Sequence, residues 1–172
     1  DVFKITSPLT PLQNERGIIG FNVAGWGLVS GINLLAEKLR QSPSLMHAER
    51  LLFIPDLLAY WLTGVMANER TLASTSQLFD PATDDWAWPV IDALGLPRKI
   101  FGNIVAPGTI LGPIRTEIAD YIGMENIPVI ASASHDTASA VAGIPMSQGD
   151  NLWLSSGTWS IMGRSEEHTS EL

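Results

Sequence analysis

The 172 residues hold 18 acidic side chains against 10 basic ones, a net charge of −8 that argues against a nucleic-acid surface, which would be basic. Hydrophobic residues at 45% and charged residues at 16% describe a globular chain able to bury a core, enough for one domain or one domain and part of another. Cysteine is absent, which excludes disulfides and thiolate metal sites and fits a cytoplasmic setting.

Residues 1–31 show no clear hydrophobic period and read as irregular. The window 17–31 is the most membrane-like, but it falls short of the ~18–20 apolar residues of a span. It also holds five glycines with Asn22 and Ser30 and lacks a basic leader, so it reads as a buried, turn-rich segment and no membrane partner is expected. From Ile32, the spacing of Leu34, Leu35 and Leu39 predicts a helix, with Glu37, Lys38 and Arg40 opposite and Gln41-Ser42-Pro43 as its stop. A second helical stretch at 44–50 leads into a short apolar strand at 51–54. Pro55 suits a helix start, Asp56 places negative charge in its first turn, and Thr63-Gly64 closes it.

Residues 69–79 are hydroxyl-rich without a clear period, and 80–85 is a turn by composition. A helix is expected over 86–94, a short helical turn over 97–101, and two extended pieces over 104–111, split by Pro107-Gly108. Residues 114–122 read as a helix with Ile114, Ile118 and Tyr121 on one face and Gly123 at its end. A strand at 127–132, a helix at 137–143 and a strand at 151–155 running through Gly157 into 159–162 complete the series. Strands alternating with helices indicate an α/β fold.

Two strand ends carry the chemistry. The first delivers Ser134-His135-Asp136-Thr137, the second Ser155-Ser156-Gly157-Thr158. Asp136 reads in two compatible ways: as the N-cap of the 137–143 helix, or as a general base at a strand's C-terminal end, where open α/β sheets bind ligands. Ser134, His135 and Asp136 are consecutive and cannot form a serine-hydrolase relay, because neighbouring residues point apart. Residues 155–158 suit a hairpin turn with glycine at positive φ, or a turn whose N–H groups and Thr158 hydroxyl hold phosphate oxygens. Neither G-x-x-x-x-G-K-[ST] nor G-x-G-x-x-G occurs, and the three histidines are widely separated, so no metal site is expected.

ASHDTASAVAGIP followed by LSSGTWSIMG resembles the rhamnulokinase branch of the FGGY carbohydrate kinases, in the actin/hexokinase superfamily. LLFIPDLLAYWLTG, ASTSQLFD, GLPRKIF and PGTILGPI match the same family in order, so that the resemblance covers roughly 32–163. It implies an RNase H-like (actin-like ATPase) fold truncated at both ends. Residues 1–146 would be the latter part of the first domain, and 147–163 the first strands of the second. The last stretch, 164–172, RSEEHTSEL, resembles a translated sequencing adaptor and is expected to be a non-native tail.

The resemblance also implies an ATP-dependent kinase that phosphorylates L-rhamnulose at its O1 hydroxyl. Asp136 would be the general base, His135 and Thr137 would flank it at the sugar, and Gly157 and Thr158 would contact the phosphates of ATP, which arrives with Mg2+. The alternatives are an L-fuculokinase, another ketose or polyol kinase of the family, or a non-catalytic sugar- or nucleotide-binding module. The family's N-terminal phosphate hairpin and adenine-side glycine motif are absent from these residues, so the isolated chain is expected to be inactive.

Overall fold

The computed structural model describes residues 12–13, 18–21, 28–146, 151–157 and 160–164. It divides into two units, Asp1–Ser134 and His135–Leu172.

In the first unit, β1 (Leu12–Gln13) pairs antiparallel with β2 (Ile18–Phe21), and β2 runs parallel to β3 (Arg50–Phe53), with Phe21 opposite Phe53. This corrects the irregular reading at 12–13 and 18–21; residues 1–11, 14–17 and 22–27, with much of the stretch expected to be buried and turn-rich, lie outside the described residues. A parallel strand draws its hydrogen bonds from a segment far along the chain, so a short IIGF run carries little local signal of it. The crossover between β2 and β3 contains α1 (Leu28–Leu39) and α2 (Pro43–His47). Helix α1 starts four residues before the expected Ile32 and absorbs Gly31, a tolerable cost of about 1 kcal/mol relative to alanine. Helix α1 ends at Leu39, where Gln41 turns left-handed at φ 52 and the Ser42 N–H donates to the Glu37 carbonyl at 2.9 Å, so that the expected stop at 41–43 begins before its proline; Pro43 opens α2, because it lacks the N–H that a first helical turn leaves unused. The stretch expected to be helical to residue 50 stops at His47, since Arg50 already belongs to β3.

Leu51, Leu52 and Phe53 of β3 are buried, and α3 (Ile54–Thr63) follows without a loop. Gly64 closes α3 at φ 82, a left-handed conformation that glycine adopts without a Cβ penalty, and its N–H donates to the Tyr60 carbonyl at 2.6 Å. The hydroxyl-rich stretch resolves into β4 (Asn68–Glu69), parallel to β7 (Ile104–Val105), then α4 (Arg70–Ala73) and a 3-10 turn at Ser74–Ser76. The expected turn at 80–85 joins β5 (Phe79–Asp80) to β6 (Asp85–Trp86) as an antiparallel hairpin.

Trp86 pairs with Phe79 in that hairpin, so α5 (Trp88–Ala93) begins two residues later than expected. The Trp86 ring is buried in the main core with Leu34, Phe53, Leu78 and Ile91. Its Nε1 donates to the Gly102 carbonyl at 2.7 Å, and it meets Phe101 edge-on, with centroids 5.0 Å apart.

Pro107-Gly108 does break the next extended stretch. Beyond it, β8 (Ile110–Pro113) pairs antiparallel with β9 (Pro128–Ile130). The Ala131 N–H donates to the Thr109 carbonyl at 2.8 Å, and the Gly108 N–H to the Ala131 carbonyl at 2.7 Å, carrying the pairing past β9. Helix α6 (Thr116–Ile122) lies between these strands. Its inward residue is Ala119, whereas Tyr121 is 91% exposed, contrary to the expected Ile114–Ile118–Tyr121 face. Ile114 precedes the helix, so helical phasing cannot be counted from it.

The second unit contains α7 (Asp136–Ala142), β10 (Leu152–Ser156) and β11 (Ser160–Arg164), with α7 packed beside β10. The two strands form an antiparallel hairpin, Ser156 opposite Ser160 and Leu152 opposite Arg164. Strand β11 therefore takes in Arg164, the first residue of the expected tail; 165–172 lie outside the described residues.

The buried Trp86 indole has a specific partner, so Trp86→Phe is expected to destabilise the fold by about 1–3 kcal/mol, leaving the Gly102 carbonyl without its donor. Urea denaturation followed by far-UV circular dichroism measures this, and an unchanged midpoint would contradict it.

Candidate functional site

Each unit brings polar groups together at the end of a strand. In the first, Asp56 sits in the opening turn of α3, only 5% exposed. Its Oδ2 accepts from the Phe53 N–H at 3.3 Å and from Asn68 Nδ2 at 3.0 Å, while Oδ1 accepts from the Glu69 N–H at 3.0 Å. Asn68 Nδ2 also donates to the Leu51 carbonyl at 3.2 Å, tying β3 to β4. Burial pushes the Asp56 carboxyl up to about 7; these three donors hold it back in part, and nearby Glu69 adds a smaller upward push.

Glu69, 2% exposed, follows Asn68 in β4 and serves as N-cap to α4, accepting from the Thr71 and Leu72 N–H groups. It also accepts from the Ser134 N–H at 3.1 Å, just past β9. Asp56, Glu69, Ser132 and Ser134 line a cavity of about 60 Å³, walled on its apolar side by Leu111 and Ile130.

In the second unit, His135, Asp136 and Thr137 share the first turn of α7. The structure corrects the N-cap reading of Asp136: His135 occupies the cap position, with extended backbone, and Asp136 is the first helical residue. A carboxylate there still favours the positive end of the helix dipole. The Asp136 side chain is 94% exposed, and its Oδ1 lies 3.4 Å from His135 Nε2. That oxygen also accepts from the Thr137 N–H at 2.7 Å. The half-buried His135 and Thr137 flank an acid that projects outward. Gly157 follows β10, the strand beside α7, in a bend open to solvent, and Thr158 lies outside the described residues.

Among the described residues there is no group of three His, Cys, Asp or Glu placed to hold a metal ion. No described helix is long and apolar enough to cross a membrane.

Glu69 and Asn68 escaped sequence reasoning. They sit in a hydroxyl-rich stretch without period, glutamate is not a favoured N-cap type, and the Ser134 partner is 65 residues away. Asp56 was legible as a helix-start acid, while its bonds to β4 were not.

The fold is that of the sugar kinases with an actin-like ATPase architecture. A gluconate kinase and a xylulose kinase, both from Lactobacillus acidophilus, each superpose on 60% of this chain with a TM-score of 0.56 at 21% identity, the match covering 21% of their own chains. Residues 35–143 match the model for the N-terminal domain of the FGGY family of carbohydrate kinases, and the chain belongs to that family. Among curated relatives, a rhamnulokinase from Bacteroides thetaiotaomicron is 45% identical over 120 residues, 70% of this chain. A rhamnulokinase from Enterococcus faecalis is 42% identical over 125 residues, 73% of this chain. Each match covers 25% of the relative, so the chain spans about a quarter of their length.

The raised Asp56 carboxyl gives a signed pH dependence. The folded state holds this proton more tightly than the unfolded state, so the group's stabilising contribution is complete below about 4, falls as pH rises through about 7, and is flat above. The span is on the order of 4 kcal/mol at most. Asp56→Asn should flatten that slope, measured as urea-unfolding free energies at pH 5 and pH 8. Equal slopes in wild type and variant would refute the assignment.

Proposed function

We propose that this chain is the sugar-facing part of an ATP-dependent kinase of the rhamnulokinase type, which phosphorylates the O1 hydroxyl of L-rhamnulose. The observation that carries this reading is the exposed Asp136 carboxylate in the first turn of α7, flanked by His135 and Thr137. It belongs to a chain whose curated relatives named rhamnulokinase are 45% and 42% identical to it.

In this reading Asp136 accepts the O1 proton while the oxygen attacks the γ-phosphorus of ATP. The new O–P bond forms as the bond to the β-phosphate oxygen breaks, and ADP leaves with that electron pair. Such a base is worth roughly 10²–10⁴-fold in rate. His135 and Thr137 orient the sugar by hydrogen bonds. The N–H groups freed at Gly157 and the Thr158 hydroxyl hold phosphate oxygens of the nucleotide. Mg2+ enters with ATP as part of the co-substrate, coordinated largely by phosphate oxygens and water.

Residues 1–146 then belong to the kinase's first domain and 147–163 open its second. Phosphoryl transfer rests on positioning and charge stabilisation, so the isolated 172 residues are expected to show no turnover.

The test uses the full-length open reading frame that contains this sequence, assayed with ATP and L-rhamnulose, L-fuculose or D-xylulose. Preference for L-rhamnulose supports the reading, preference for L-fuculose or D-xylulose moves it to a neighbouring kinase, and sugar binding without turnover marks a non-catalytic module. Asp136→Asn should lower kcat by at least about 10²-fold while calorimetric sugar affinity changes little. A variant that turns over at the wild-type rate removes Asp136 as the base.

A further inference from the structure

A cavity of about 460 Å³ opens where the end of α1, helix α2 and the loop after α5 meet. Sites for small molecules run from roughly 300 to 1,000 Å³ and are largely apolar with a few fixed polar groups. This one has two unlike walls: Leu45, Met46 and Pro97 form an apolar side, and Glu37 and Lys38 of α1 a charged one. It shares no residue with the cavity beside Asp56 and Glu69, and it lies wholly within the first unit.

The two charges are held separately. Glu37 is only 8% exposed; its Oε1 accepts from Arg40 Nη1 at 3.4 Å, and its Oε2 has no partner among the described residues. The half-buried Lys38 reaches across to donate from Nζ to the Leu94 carbonyl. An ammonium has three donors, so two remain for a ligand. Gly95, at φ 59, keeps that reach open, since a Cβ there would run into Lys38 Nζ. Consecutive helix residues project about 100° apart, and none of the described ion pairs joins Glu37 to Lys38. The wall therefore presents both signs rather than a neutralised pair.

Such a wall selects by charge. A bare anion drawn to Lys38 meets the Glu37 carboxylate, and a bare cation drawn to Glu37 meets Lys38. A molecule with an ammonium and a carboxylate on one carbon satisfies both. The facing wall takes hydrocarbon, and Met46, 68% exposed, offers a flexible thioether that packs favourably on aromatic rings. The geometry points to a binding site for an α-amino acid with a large apolar side chain, its carboxylate at Lys38, its ammonium at Glu37 and its side chain against Leu45, Met46 and Pro97. The site does not rest on the kinase reading above, and its ligand is bound rather than transformed.

The full-length protein is dialysed to equilibrium against radiolabelled L-phenylalanine, with hydrocinnamate and phenethylamine as competitors; the first lacks only the ammonium and the second only the carboxylate. Phenylalanine should bind with a dissociation constant of about 1 mM or tighter. Each competitor should be weaker than unlabelled phenylalanine by roughly tenfold, because each gives up one charge-assisted bond. Lys38→Gln and Glu37→Gln should each weaken binding by a similar factor, with thermal unfolding reporting fold integrity. If either does not fold, Met46→Glu decides: it changes an exposed side chain, sets a charge in the apolar wall and should weaken binding by at least about tenfold.

No saturable binding up to about 10 mM phenylalanine overturns the site. Hydrocinnamate or phenethylamine competing as well as phenylalanine overturns the amino-acid assignment, the first by removing the role of Glu37 and the second that of Lys38. Wild-type affinity in the folded Lys38→Gln and Glu37→Gln variants, or in Met46→Glu, shows phenylalanine bound elsewhere and overturns the site as well.

Discussion

Two carboxylates buried side by side, Asp56 and Glu69, set the terms for the first unit. Neither takes part in the described ion pairs, so their charge is met by N–H and O–H donors rather than by Lys or Arg. A buried charge without compensation is expensive, and the donors that meet it come from several elements. Asp56 draws on the β3–α3 junction and β4. Glu69 draws on α4 and the chain after β9. The acids therefore work as joints between segments that are far apart in sequence, and an exchange of either for an apolar residue would leave several N–H groups unsatisfied at once.

That arrangement explains why strands as short as β4 and β7, two residues each, hold their places. A two-residue ladder supplies few backbone bonds. Asn68 adds side-chain bonds to β3 and to Asp56, and the Trp86 indole reaches the Gly102 carbonyl just before β7. The apolar core of Leu34, Phe53, Trp86 and Ile91 supplies the nonspecific part of the stability. The polar joints determine register and direction.

The second unit is built on the opposite principle. Its acid, Asp136, is exposed and makes short-range contacts with its neighbours His135 and Thr137 alone among those described. Leu152, Leu154 and Met162 on the β10–β11 hairpin are exposed as well, and Gly163 stands where the Trp153 ring leaves no room for a side chain. An outward carboxylate at a helix start is disposed to meet a hydroxyl from solution, whereas a buried one is disposed to organise the chain.

The residues that declare themselves in one dimension are those whose physics is local. Pro55 and Gly64 bracket α3 because one suits a first helical turn and the other a left-handed close. Pro107-Gly108 interrupts an extended run, and the SHDT and SSGTW stretches mark the family by their order and chemistry. Tertiary structure alone decided that IIGF at 18–21 is a strand, that Trp86 closes a hairpin instead of opening a helix, that His135 rather than Asp136 caps α7, and that Glu69 reaches Ser134. The reason is common to all four: each depends on a partner or a backbone geometry that side-chain type and spacing do not encode. Helix ends and turns are settled within a few residues, while strand pairing and buried-acid contacts are settled by whatever the folded chain brings alongside.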